Sequence, residues 1–286
     1  MSAVQAAGVP VPFGRRLAEA MVARGPLCVG IDPHPGLLSA WDLPLSAAGV
    51  ERFARTVVEA VGPSVAAVKP QSAFFEVFGS AGIAVLERVL ADCRDVGTLS
   101  VLDAKRGDIG STMAAYATAY LTGDGPLAAD SLTVSPFLGF GSLAPAVEAA
   151  LASGRGLFVL ALTSNPEGPQ VQHAVDESGR TVAATIAAQA AEINVGADPL
   201  GSIGLVVGAT IGSTDVDLAA VNGPLLAPGL GAQGATAEDL QRVFGDARRN
   251  VLATSSRDVL QHGPSVGGLR DAAARVVEQV RAAVGS

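Results

Sequence analysis

The sequence predicts an α/β protein, a parallel eight-stranded (β/α)₈ barrel with outer helices, and three observations lead there. Eight short, continuously apolar runs recur along the chain, amphipathic segments lie between many of them, and polar residues follow several runs immediately. Strands buried on both faces read as unbroken apolar runs, whereas half-exposed strands alternate. Strands that alternate with helical patterns indicate a parallel sheet. The length of 286 residues suits one such barrel, which typically takes about 250.

The elements follow in order. Phe13, Leu17, Ala20 and Met21 share a face of the first helix, and the first strand, Leu27–Ile31, ends at Asp32. Phe53, Val57, Ala60 and Val61 mark the second helix; the run Val65–Val68 then meets Lys69-Pro70. Leu86, Val89 and Leu90 mark the third helix, before Leu99–Leu102 runs into Asp103. Strand four, Leu132–Val134, ends at Ser135-Pro136, and strand five, Gly156–Leu162, ends at Thr163-Ser164. Ile203–Val207 ends at Gly208, Leu225–Ala227 at Pro228-Gly229, and Asn250–Ala253 at Thr254 through Arg257. Leu240, Val243 and Phe244 form a late helix with Thr236 as N-cap and Asp239 three positions on, a helix-start signature. The sequence predicts one domain over 1–286, with an N-terminal extension over about 1–12 and a closing helix over about 269–284. No linker or shift in composition divides it.

Composition narrows the function. Hydrophobic residues make up 49% of the chain and aromatics only 4%, enough for a large core but little stacking surface for single-stranded nucleic acid. A net charge of −8 argues against nucleic-acid or anionic-membrane partners. An anionic substrate must then be held by a few local cations. The two cysteines, Cys28 and Cys93, suit a reducing compartment, and Cys28, inside an apolar run, reads as core. No run approaches the roughly 20 apolar residues of a membrane span. Met1 to Pro12 lacks the basic start of a signal peptide. A soluble, cytoplasmic protein is expected.

The most informative stretch is Asp103-Ala-Lys105-Arg-Gly-Asp108. Residues two apart on a strand share a face, so Asp103 and Lys105 project together. Flanking carboxylates favour the ammonium form of that lysine, a proton donor rather than a Schiff-base nucleophile. Alone, the pattern suits a structural ion-pair network equally well. Position decides: Asp32, Lys69, Asp103, Lys105, Ser164 and Arg257 all follow strand runs, and C-terminal strand ends meet at the mouth where barrels build active sites.

Gly229-Leu-Gly231-Ala-Gln-Gly234 matches G-x-G-x-x-G. It follows strand seven, not the first βα turn of a dinucleotide fold. Barrels bind phosphate in the loops after strands seven and eight, where Arg257 supplies a guanidinium. Ser164 through Arg180 is a long polar excursion, either a binding lid or, in its distal half, a disordered insertion. His34, His173 and His262 lack metal-ligand spacing, no G-x-S-x-G occurs, and Trp41 reads as packing. His34 is either a loop-surface residue or part of the mouth.

These residues resemble the orotidine 5'-phosphate decarboxylase family, in its longer-chain (type 2) branch, across essentially the whole chain. Leu102-Asp-Ala-Lys-Arg-Gly-Asp-Ile109 with Ser111-Thr112 carries the resemblance most specifically. Gly30-Ile-Asp32, Val68-Lys69-Pro70, Thr163-Ser-Asn-Pro166, Ala227-Pro-Gly-Leu-Gly-Ala-Gln233 and Ser255-Ser-Arg257 support it in order. The resemblance implies a homodimeric TIM barrel that converts orotidine 5'-monophosphate (OMP) to uridine 5'-monophosphate (UMP) and CO₂, the last step of de novo UMP biosynthesis, with no metal or organic cofactor. It implies that Lys105 protonates C6 of the pyrimidine and that Asp103 lies against the departing carboxylate. Lys69 and Asp108 would complete the charged row, with Asp108, Ile109 and Thr112 reaching the neighbouring subunit's site. Asp32 and Lys69 would hold the ribose, Thr163 and Ser164 the pyrimidine side, and Gln233 would bridge base and phosphate. Pro228, Gly229, Ser256 and Arg257 would surround the phosphate.

Two other readings compete. A Mg²⁺-dependent sugar-phosphate decarboxylase or aldolase of the same barrel superfamily would place an acidic ligand after strand two, where this chain has Lys69, whose charge repels a divalent cation. A non-catalytic binding barrel would be expected to lose its charged mouth residues.

Overall fold

The computed structural model of the protein describes residues 10–229 and 236–285. Eight parallel strands close on themselves in sequence order: β1 (Leu27–Ile31), β2 (Ala67–Pro70), β3 (Leu99–Arg106), β4 (Ser131–Val134), β5 (Gly156–Leu162), β6 (Ile203–Val207), β7 (Leu225–Pro228) and β8 (Val251–Ser255). The closing pair sets Leu27 opposite Ala253 and Val29 opposite Ser255.

Every expected strand is present, but several run further than their apolar runs. β2 starts and ends later than Val65–Val68, so Lys69 and Pro70 lie within it; β3 continues through Asp103 and Lys105 to Arg106; β8 reaches Ser255. The cause is that backbone pairing is indifferent to side-chain polarity at a strand end, where the inward face opens onto the mouth. Helices Phe13–Arg24, Ala47–Val61, Gly79–Val96 and Ala237–Phe244 carry the expected apolar faces. Thr236 and Asp239 form a reciprocal capping box. The closing helix, Val266–Val284, starts under a Ser265 cap, a few residues before the expected 269.

Two apolar layers result. The larger lies between strands and outer helices, where Val57, Val61, Leu86, Val89, Leu90 and Val280 are buried. Trp41 belongs to it: its ring packs at a tilt against Phe53, centroids 4.2 Å apart, and its indole N–H donates to the Leu260 carbonyl at 3.0 Å. The smaller layer fills the barrel: Cys28, Val101, Phe158, Val206, Leu226 and Leu252, with Phe13, Leu17 and Met21 from the first helix. Phe13 meets Phe158 edge to face at 6.0 Å. Gly156 makes room, since a β-carbon there would lie 2.1 Å from the Phe13 ring. The first helix therefore plugs the N-terminal end of the barrel.

The excursion after β5 folds back on the barrel. A short helix, Pro169–Gln172, returns Gln172 to the end of β5, where it accepts from the Thr163 N–H at 2.9 Å and donates to Thr163 Oγ1 at 2.7 Å. The distal half is a turn closed by a Val175–Thr181 bridge, with Asp176 accepting from the N–H groups of Ser178 and Arg180. Both cysteines are buried and free. Among the described residues no helix is long and apolar enough to cross a membrane.

Candidate active site

The C-terminal strand ends enclose a cavity of about 470 Å³, within the usual range for small-molecule sites. Its wall includes Asp32, Lys69, Asp103, Lys105, Thr163, Ser164, Pro228, Gly229, Ser256 and Arg257. Ten of the sequence-expected site residues thus converge from separate strands.

At its floor Asp103 sits between two lysines. Lys69 Nζ donates to Asp103 Oδ2 at 3.0 Å and Lys105 Nζ to Oδ1 at 2.6 Å. Lys69 and Asp103 are buried, whereas the Lys105 side chain is 46% exposed to the cavity. Burial alone would favour neutral Asp103, but the two ammonium groups outweigh it and bring its pKa down to about 2. Burial likewise opposes charge on Lys69, and Asp103 and Asp32 overcome it, so Lys69 is raised above the ordinary lysine range. Asp103 and Lys69 therefore both keep their charges at neutral pH. The Cys28 thiol beneath them is pushed up to about 12 by burial and is chemically inert there.

Lys105 reaches Asp103 by a route that simple strand alternation does not describe. Its φ is +48°, and the β3–β4 register shifts between Leu102 and Arg106. Arg106, next along, is clamped outside the mouth: it donates to Glu76 at 2.6 Å and to the Tyr120 hydroxyl at 3.3 Å, and lies over the rings of Tyr116 and Tyr120.

The rest of the wall sets polar groups among apolar side chains such as Leu160, Leu162, Val206 and Leu226. Asp32 Oδ1 is buried with no hydrogen-bond partner among the described residues, an acceptor free to take a ligand hydroxyl. Gly30 permits Ser256 to approach, since a β-carbon there would lie 2.0 Å from the Ser256 hydroxyl. Arg257 is exposed at the rim, at the start of the short helix Arg257–Leu260. Arg257 and Gly229 both line the cavity, as a phosphate site after strands seven and eight requires. Gln233 and the later glycines of that loop lie outside the described residues.

Asp108, Ile109 and Thr112 do not line the cavity of their own chain. Ile109 is 61% exposed, and Asp108 accepts the Ile109 N–H at 2.8 Å. The structure decides for the mouth at His34 and adds wall residues outside the expected set. His34 lines the mouth while its Nδ1 caps the helix Pro35–Ala40, so it is not merely a loop-surface residue. Asn165, Thr254 and Asp258 also join the wall; each follows or ends a strand, which was the one available signal. Thr133, inside β4, gave none.

A buried carboxylate flanked by two ammonium groups, with one lysine open to the cavity, can crowd a substrate carboxylate, stabilise negative charge on an adjacent carbon and return a proton to it. Comparison with known proteins gives the family. The model of the "Orotidine 5'-phosphate decarboxylase / HUMPS family" matches residues 25–272. A Streptomyces coelicolor orotidine 5'-phosphate decarboxylase is 62% identical over 273 residues, covering 96% of this chain and 98% of the relative. One from Salinispora arenicola is 62% identical over 272 residues, 95% and 98%. A solved Streptomyces avermitilis structure, provisionally assigned the same activity, is 61% identical with a TM-score of 0.94, covering 99% of this chain and all of that one.

Proposed function

The chain belongs to the orotidine 5'-phosphate decarboxylase / HUMPS family, and on that premise we propose that Lys105, Asp103 and Lys69 carry its reaction at the barrel mouth. The reaction is the conversion of OMP to UMP and CO₂, a carbon–carbon lyase step that ends de novo pyrimidine biosynthesis. The observation that carries this reading is Asp103 held between Lys69 at 3.0 Å and Lys105 at 2.6 Å, inside a nucleotide-sized cavity.

Loss of CO₂ leaves a carbanion at C6. The Lys105 ammonium stabilises that charge as it develops and then supplies the proton. Asp103, kept ionised by its lysines, faces the substrate carboxylate and disfavours the ground state more than the transition state. Asp32, with its unpartnered oxygen, and Lys69 hold the ribose. Thr163 and Ser164 meet the pyrimidine, Gln233 bridges base and phosphate, and Arg257, with Pro228, Gly229 and Ser256, takes the phosphate. Phosphate binding far from C6 then contributes to orienting the reacting ring. The ammonium of Lys69 would repel a divalent ion at the end of β2, which disfavours the sugar-phosphate alternative.

Purified protein treated with EDTA should bleach the orotate chromophore of OMP and yield UMP in equal amount. Intact OMP after prolonged incubation with folded protein would contradict this.

The catalytic unit is a cytoplasmic homodimer with shared sites. Asp108, Ile109 and Thr112 sit on the loop and helix start that follow β3, and the segment that follows the neighbouring strand β4 exposes Phe137 and Leu138. Apolar exposure of this kind suits a partner surface, and the same segment would carry Asp108 into the partner's mouth. Asp108→Asn and Lys105→Ala should each be nearly inactive. After random exchange, mixtures should regain about a quarter of wild-type sites, since roughly half the dimers are mixed with one intact site in two. No recovery after verified exchange would assign Asp108 to its own subunit.

A further inference from the structure

The ladder between β3 and β4 pairs Leu102 with Leu132, then resumes at Arg106 with Val134. Three residues, Asp103, Ala104 and Lys105, therefore stand against Thr133 alone. Such a bulge leaves backbone N–H groups without ladder partners. Here the Ala104 and Lys105 N–H groups donate instead to Thr133 Oγ1, at 3.1 and 2.9 Å. A hydroxyl has one hydrogen and two acceptor positions. With both acceptor positions filled, its hydrogen is left for Asp103 Oδ1, 2.9 Å away. Thr133 is itself fully buried, and the whole hydrogen-bonding capacity of its hydroxyl is spent on Asp103, Ala104 and Lys105, the three residues of the bulge.

The bulge matters because Lys105 occupies the left-handed region, which a non-glycine residue keeps only where its surroundings over-determine it. In that conformation its chain turns back, so that Nζ meets the same Oδ1 that receives the Thr133 hydroxyl. We propose that Thr133 is a positioning residue for decarboxylation, its hydroxyl fixing the β3 bulge that aims Lys105 and orients Asp103. The inference rests on the decarboxylase reading above and adds to it a residue that donates no proton to substrate.

The test compares Thr133→Val, which keeps the shape and loses the hydroxyl, with Thr133→Ser, which keeps the hydroxyl, using OMP turnover and thermal unfolding. Misplacing a reacting group by about an ångström costs on the order of 10²-fold, so kcat of Thr133→Val should fall by about that factor. Its KM should move less than about threefold, because the ribose and phosphate residues are untouched, and Thr133→Ser should stay close to wild type. Wild-type kcat in a folded Thr133→Val protein would overturn the inference, and so would equal losses in Val and Ser, which would indicate packing by the methyl group. Should Thr133→Val not fold, Thr133→Cys, whose thiol is a weak partner, takes its place: a loss in Cys but not Ser supports the role, and equal activities overturn it. A wild-type protein inert toward OMP would instead overturn the decarboxylase reading beneath, and this role with it.

Discussion

At the N-terminal ends of the strands the barrel is filled by Phe13, Leu17 and Met21 against Phe158 and Leu252. At the C-terminal ends the same strands present Lys69, Asp103, Lys105 and Arg257 to an open cavity. The two ends answer to different physics. Burying a side chain such as Phe13 contributes about 1.5–3 kcal/mol and asks for nothing but a fitted space, which Gly156 provides. Taking charges out of water costs several kcal/mol per ion, and an ion pair only partly repays it. The row at the mouth is therefore a poor way to hold a barrel together and a good way to stabilise charge that appears during a reaction. The closed end serves stability and the open end chemistry.

Lys105→Ala should break this comparison most visibly. It removes both the stabilising charge and the proton source, so turnover should drop by on the order of 10⁴-fold or more. Because Lys105 is half exposed and Lys69 still pairs with Asp103, the melting temperature should fall only modestly; calorimetry alongside the OMP assay checks both. Arg257→Ala should act through binding, raising KM by about 10²-fold, roughly 2.7 kcal/mol, with a smaller change in kcat. Its signature is that the nucleoside without phosphate reacts equally poorly with wild type and variant. A nucleoside that reacted as well as OMP with wild type would remove the phosphate site from β7 and β8.

A smaller effect follows from Asp103. Its native pKa of about 2 lies below the ordinary 3.8, so its ionisation stabilises the fold above pH 3.8 and that contribution is lost as pH falls toward 2. One pKa step is worth about 1.4 kcal/mol, which makes this contribution about 2 kcal/mol. Stability measured from pH 5 to pH 2 should fall more steeply in wild type than in Asp103→Asn. Parallel slopes would mean that the lysines do not hold the carboxylate as described.

The end of the molecule that obeys the hydrophobic effect was the more legible in the sequence. Continuous apolar runs located all eight strands, and the faces of Phe13, Phe53 and Leu86 located their helices, because burial on both sides leaves no other pattern. The mouth was legible in composition and less so in geometry. The run Leu99–Leu102 hides the continuation to Arg106, since polar side chains at a strand end face the cavity while the backbone keeps pairing. Lys105 was expected to meet Asp103 by alternation, yet it does so through a left-handed bulge. Thr133 passed unnoticed because a threonine inside an apolar strand is an ordinary β-former, and only its three hydrogen bonds distinguish it. The excursion after β5 reads as polar and loose, while the Gln172 clasp on Thr163 that orders it joins residues on two turns.

The measurement that tests the division between the two ends most directly is made on Phe13→Ala. Truncating a buried phenylalanine costs about 3–5 kcal/mol, so unfolding by denaturant should shift by that amount. With the folded fraction determined in the same buffer, kcat/KM for OMP per folded molecule should equal that of wild type, because the plug touches none of the charged residues. A tenfold or greater loss per folded molecule would contradict the account, since the helix at the closed end would then be setting the geometry of the open one.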